Sequence, residues 1–182
     1  MGEKLRCFIA LDLPESIISE LQKIQEHIKK EDLIIGKFTE KENLHLTLKF
    51  LGGISKEQVS GVQEKLRSIS FKAFNADIRE LGVFSEEFVR IIWVALNGTE
   101  VFELQSSVDA ALDDIFPKET RFMSHVTIAR VKNLKDKQKL LEHLKSIKIQ
   151  DIKGKITSFS LIASTLKPEG AQYEVIERYK LG

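Results

Sequence analysis

The sequence is short of several things, and each shortage closes off a line of explanation. A single cysteine, Cys7, stands in an apolar run among 182 residues, so no intramolecular disulfide can form and a reducing, cytoplasmic setting is expected. Its plainest role is that of a small buried hydrophobe. There are three prolines, Pro14, Pro117 and Pro168, each near an expected element boundary, and no Gly/Ser-rich tract divides the chain. No apolar run approaches the ~20 residues that span a bilayer, so no membrane partner is expected. Met1-Gly2-Glu3-Lys4 leads straight into a strand-like segment without the pattern of a signal peptide. The charges nearly cancel, at a net +1, which argues against tight nonspecific binding of long nucleic acid but leaves room for a small or terminal substrate held by a local site. The usual nucleotide and hydrolase signatures are missing: no Gly-x-Gly-x-x-Gly, no Walker loop, no Gly-x-Ser-x-Gly. Neither His-x-His nor His-x-x-x-His occurs, so no zinc ligand set is expected, nor any cofactor. His27 and His143 fall in charged helical stretches and are expected to face solvent.

What is present is enough for a core, with 42% hydrophobic residues. Arg6 to Leu11 reads as a buried strand. Ile17, Ile18, Leu21, Ile24 and Ile28 then recur at helical spacing behind Pro14. Leu44 to Leu51 reads as a strand broken by Gly52-Gly53, Lys56 to Ile69 as a helix, and Ala73 to Val83 as extended. The order then repeats: strand at Arg90–Leu96, helical stripe from Val101 to Ile115, strand at Ser124–Val131, helix at Leu134–Ile147. Ile149–Ala163 and Tyr173–Leu181 close the chain as strands. Both halves thus read strand–helix–strand–helix–strand. The fold class expected is α+β: one bilobal domain over residues 1–182, built by internal duplication as two pseudo-symmetric lobes. Each lobe would carry an antiparallel sheet with helices outside, and a groove would run between them. The rival is a single sandwich whose similar halves are coincidental.

The chemical signal is a repeated tetrad, His45-Leu46-Thr47-Leu48 and His125-Val126-Thr127-Ile128. Alternate residues of a strand share a face, so each His and Thr would point one way and the apolar pair into the core. One strand histidine is more often structural than catalytic, and Thr is common in strands because it is β-branched. Those readings have to hold twice, at matched places in both halves, to explain this chain. Two imidazoles facing one another suit a phosphodiester whose nucleophile must lose a proton while its leaving oxygen gains one, because imidazole titrates near pH ~6.5. Threonine hydroxyls could donate to the phosphoryl oxygens. His45 and His125 are therefore the catalytic candidates, and Thr47 and Thr127 the phosphate-binding candidates.

The twin His–apolar–Thr–apolar motifs resemble the 2H phosphoesterase superfamily. Within it the chain is similar to bacterial and archaeal RNA 2′,3′-cyclic phosphodiesterases, formerly called 2′-5′ RNA ligases. The resemblance takes in Arg6 to Asp12, Asn43 to Gly52, Gly82-Val83-Phe84, Arg90 to Trp93, Ser124 to Arg130, and Ser164 to Pro168 with Tyr173-Glu174. It implies a bilobal α+β fold with both histidines in a central groove. It implies RNA ends or small nucleotides bearing a 2′,3′-cyclic phosphate as partners, opened to a 2′-phosphate by a monomer, with His45 as acid to the leaving 3′-oxygen and His125 as base. The near-symmetry of the motifs allows those roles to swap. Reversal of the same step would be 2′-5′ RNA ligation, and a non-catalytic nucleotide-binding module is the reading outside enzymology. The resemblance also suggests that Phe50 and Arg130, each five residues past its histidine, hold the nucleobase. Strict alternation would turn both onto the wrong face unless the strands bend. Phe8 could line the groove, although its apolar run favours the core.

Overall fold

The computed structural model describes residues 4–168 and 170–182; Met1-Gly2-Glu3 lies outside them. The elements in order are β1 (Leu5–Leu11), α1 (Glu15–Lys30), β2 (Ile34–Phe38), a 3-10 turn at Lys41–Asn43, β3 (Leu46–Ile54), α2 (Lys56–Arg67) and β4 (Phe74–Val83). They continue with β5 (Ile91–Asn97), α3 (Thr99–Ala111), β6 (His125–Leu134), α4 (Lys137–Ser146), β7 (Lys153–Ile156), β8 (Ser158–Lys167) and β9 (Gly170–Lys180). The helix starts follow from local chemistry. The Pro14 carbonyl accepts from the N–H groups of Ile17 and Ile18 at 3.0 and 3.1 Å. Ser55 opens α2 with a full capping box to Gln58, and the Asp136 side chain caps α4 at the Lys139 N–H.

The strands form one antiparallel sheet in the order β7-β4-β5-β6-β3-β1-β8-β9, with β2 added along β6. The two expected lobes are its two halves, joined where Leu46 of β3 pairs with Val126 of β6. The strand order reads alike outward from that joint, but the halves are interwoven. Strand β4, from the first half of the sequence, pairs with β5 of the second, and β8, from the second half, pairs with β1 of the first. The helices cross as well: α1 packs on β6 and β7, and α3 on β3. All four helices cover the face that carries Leu46, Leu48, Val126 and Ile128, each about 1% exposed or less. Burying such side chains stabilises by ~1.5–3 kcal/mol apiece, which is what sets the facing of both motif strands.

Three details differ from expectation. Strand β2 was not anticipated: it runs at the edge with only its end residues half-buried, so it has no apolar alternation to detect. Gly52-Gly53 does not end β3, which runs on to Ile54; Gly52 takes φ +72°, a region glycine enters without steric cost. The helical stripe expected from Val101 to Ile115 stops early, with α3 ending at Ala111.

Candidate active site

The two motifs are placed by the β3–β6 joint. Extending the Leu46↔Val126 pairing one residue either way sets His45 across from Thr127 and Thr47 across from His125. All four then lie on the face opposite the core, around a pseudo-twofold axis. They line one groove of about 790 Å3 together with Phe50 and Arg130, so every site residue expected from the sequence is brought to one place.

The burial pattern along β3 from His45 is half-buried, buried, half-buried, buried, buried, exposed, and along β6 from His125 it is the same. The doubled buried step breaks strict alternation, and its cause is a bulge. In the β1–β3 ladder the register shifts between Ile9↔Lys49 and Ala10↔Thr47, so Leu48 is the extra residue. In the β5–β6 ladder it shifts between Ile92↔Ala129 and Trp93↔Thr127, so Ile128 is the extra residue. A bulge returns the following residues to the opposite face. Phe50, 69% exposed, and the exposed Arg130 are thereby turned back into the groove, as the bend required by the sequence argument demanded.

Each histidine is held by the carbonyl two residues before it: His45 Nδ1 lies 2.7 Å from the Asn43 oxygen, and His125 Nδ1 lies 2.8 Å from the Met123 oxygen. A carbonyl can only accept, so Nδ1 carries the proton in both rings and Nε2 is left basic for the groove. The Thr47 hydroxyl lies 3.1 Å from His45 Nε2. His45 packs against the rings of Phe8 and Tyr173, with centroids at 4.9 and 5.4 Å, and Phe84 meets His125 edge-on at 5.0 Å. Burial pushes the His45 pKa down; the Asn43 carbonyl works against this, and the charges of Arg130 and His125 add to it. His45 is therefore held in its neutral form near pH 7.

Beneath the groove each bulge is locked by a buried polar group from the crossing helix. Under β6, Gln25 of α1 donates to the carbonyls of Thr39 and Ile128, both at 2.8 Å. Under β3, Lys49 pairs with Asp109 of α3 and donates to the Pro117 carbonyl at 2.7 Å. Burial alone would raise the Asp109 carboxyl, but hydrogen bonds from Lys49, Gln105 and the Glu119 N–H outweigh it and hold it below its usual value. Sequence reasoning missed Lys49, Asp109 and Gln25; their one signal was a charge or amide on an otherwise apolar face. Phe8, for which the sequence allows groove or core, does both: it is only 4% exposed and it lines the groove. Tyr173 and Phe84 entered only as parts of the resemblance. His27 is exposed, and His143, half-buried, lies 3.1 Å from the His27 carbonyl. Cys7 is buried and free, with its thiol pKa raised by burial. No group of three or more His, Cys, Asp or Glu able to hold a metal ion occurs among the described residues, and none of their helices is long and apolar enough to cross a membrane.

Comparison with known proteins agrees with this geometry. The LigT like Phosphoesterase family matches residues 11–93 and 95–173, one segment in each half. A protein of Methanocaldococcus jannaschii named RNA 2′,3′-cyclic phosphodiesterase is 33% identical over 178 residues, covering 96% of this chain and 100% of the relative. One of the same name from Aquifex aeolicus is 34% identical, covering 98% of each chain. Among solved structures, TT0787 of Thermus thermophilus superposes with a TM-score of 0.81 at 23% identity and 97% coverage of both chains. Escherichia coli LigT in its apo form does so at 0.79, with 21% identity and 99% coverage. With twin motifs on a shared groove and a family match spanning both halves, this chain belongs to the LigT-like phosphoesterases.

Proposed function

We propose that this protein hydrolyses RNA 2′,3′-cyclic phosphodiester ends to 2′-phosphomonoesters, without a metal, through His45 and His125. The observation that carries the reading is the matched tethering of the two rings, Nδ1 to a carbonyl and Nε2 left for the groove. The name shared by the full-length relatives supports the substrate. A water oxygen attacks phosphorus as one imidazole takes its proton. The bond from phosphorus to the 3′-oxygen breaks, and the other ring protonates that oxygen. Thr47, Thr127 and the Arg130 guanidinium face the phosphoryl oxygens. Hydrolysis is tested on a cyclic-phosphate oligonucleotide in excess chelator, with the product isomer read by phosphorus NMR. A 2′-phosphate formed at an undiminished rate is expected; a 3′-phosphate, or activity restored only by added zinc or manganese, overturns the reading.

Packing supports one order for the two histidines. His45, enclosed by Phe8 and Tyr173 and held neutral, is suited to take the proton from water, leaving His125 to protonate the 3′-oxygen. This reverses the order that the resemblance implies. A substrate with sulfur in place of the 3′-oxygen separates the two, because a thiolate leaves without an acid. Under this order it restores His125→Ala but not His45→Ala.

Both histidines come from one chain, which supports action as a monomer, and the single buried Cys7 fits a cytoplasmic setting. The interpretation of the chain as one bilobal domain of 1–182 made by internal duplication is supported by the paired family segments and by the matching bulges at Leu48 and Ile128.

A further inference from the structure

The seven arginines of the chain fall into two groups. Outside the groove all are engaged: Arg67 with Glu177 at 2.6 Å, Arg178 with Asp12 at 3.0 Å, Arg79 with Asp77, and Arg90 with the Lys132 carbonyl at 3.0 Å. The three that line the groove, Arg6, Arg121 and Arg130, have no hydrogen bond or ion pair from their guanidinium groups among the described residues. The acids of the groove do not answer them. Glu40 is paired with Lys37 at 2.7 Å. Glu119 accepts from the Arg121 backbone N–H at 2.8 Å, not from its guanidinium. Unpaired guanidinium groups in a concave site are what an anion would satisfy, since their planar forks match phosphate oxygens.

One cyclic phosphodiester carries one negative charge, and it does not need three arginines. Arg130 is the one whose charge acts on His45, so it belongs with the reacting phosphate. Arg6 and Arg121 lie elsewhere. Arg6 sits on β1 opposite Gly53 and Ser164, beyond Phe50 on β3. Arg121 is in the segment before β6 whose base, Pro117 and Glu119, is tied to β3 and α3 through Lys49 and Asp109. Since β3 and β6 are antiparallel about Leu46↔Val126, the stretch preceding His125 runs alongside the Lys49–Phe50 end of β3. Both arginines therefore flank the same end of the groove, with the exposed ring of Phe50 between them.

We propose that Arg6 and Arg121 hold the phosphodiester on the 5′ side of the cyclic end, so that the preferred substrate is an oligonucleotide and not a cyclic mononucleotide. This rests on the cyclic phosphodiesterase reading and specifies its substrate. It also gives a chain of net charge +1 a means of holding RNA: the arginines without a partner among the described residues all line the groove.

The test compares a nucleoside 2′,3′-cyclic phosphate, a dinucleotide ending in the same cyclic phosphate, and that dinucleotide with a neutral methylphosphonate in place of its linking phosphate. The wild-type protein is expected to favour the charged dinucleotide by on the order of 10-fold to 100-fold in kcat/KM, mainly through KM. The methylphosphonate should lose most of that advantage. Arg6→Ala and Arg121→Ala should each shrink the ratio of dinucleotide to mononucleotide kcat/KM, and the double variant should bring it close to unity. Both side chains are exposed, so the fold is not at stake. Equal use of mononucleotide and dinucleotide by the wild type, or a preference that survives in the double variant, overturns the inference and leaves the phosphodiesterase reading standing. Failure to open any of the three substrates removes that reading itself, and this one with it.

Discussion

His45 lies against the rings of Phe8 and Tyr173, while His125 meets the edge of Phe84; the backbones that carry them are otherwise closely alike. Both strands share one burial sequence, one bulge after the motif threonine, and one carbonyl tether on Nδ1. The differences lie in what packs around that frame. Under β3 the bulge is locked by the buried pair Lys49–Asp109, and under β6 by the neutral amide of Gln25. Five residues past His45 comes a phenyl ring, and five past His125 a guanidinium. Acid–base catalysis needs two like groups in unlike protonation states. In the mechanism proposed above, the symmetric backbone would supply the first requirement, and the packing around His45 would favour the second.

The largest effect expected from disturbing either side is on chemistry. His45→Ala and His125→Ala should each lower kcat on a cyclic-phosphate RNA by on the order of 10²–10⁴, and the double variant should be little worse than the worse single one, since neither group works without the other. A single variant that folds normally and keeps near-wild-type turnover would end the two-histidine account. Next in size is the difference between the two locks, read by chemical denaturation. Lys49→Met strands a buried carboxylate and should cost about 3–5 kcal/mol, much of it recovered in Lys49→Met/Asp109→Leu. Gln25→Leu should cost only about 1 kcal/mol, because the Thr39 N–H still reaches the Ile128 carbonyl at 2.9 Å. Equal costs on the two sides would mean that the charged lock has no special weight. At the fifth positions, Phe50→Ala should raise KM by the equivalent of about 1–3 kcal/mol of base stacking, and Arg130→Ala should likewise raise KM more than it lowers kcat. The smallest change is in the pH profile. Burial penalises the His45 imidazolium, so its neutral form persists to lower pH than for a free imidazole, and the acidic limb of kcat/KM should fall below ~6.5. Tyr173→Ala admits water, relieves that penalty and should move the acidic limb to higher pH, whereas Phe84→Ala should leave it in place. Movement of the limb with Phe84 in place of Tyr173 would exchange the roles of the two rings.

The motif face was legible because a strand alternates with period two, and the two tetrads sit where that rule is simple. All four helices were legible, α1 and α3 from apolar spacing, although α3 ends short of its stripe. The rule failed one residue further on. Nothing in Leu48 or Ile128 announces a bulge, because a bulge is set by register with the neighbouring strand and not by the residue itself. The place of Phe50 and Arg130 therefore rested on resemblance until the β1–β3 and β5–β6 ladders were in view. Lys49 is the same failure from the other side: a lysine after an alternating run looks solvated, and the bulge buries it. The pairing of β8 with β1 was also out of reach, since partners so distant along the chain leave no local trace.

That exchange of strands has a consequence for how the protein is assembled and how it comes apart. Strand β1 finds β8 only after almost the whole chain exists, as in the pairing of Arg6 with Ser164; such remote contacts slow folding, because the intervening loop must close before they form. Neither half of the sequence can complete its share of the sheet from its own residues, so neither has a native state of its own to fall back on. Heat or denaturant should therefore take the molecule apart in a single transition, with no intermediate that keeps one histidine's half intact. A chain severed between β4 and β5 would regain a groove only when both pieces meet and trade strands again.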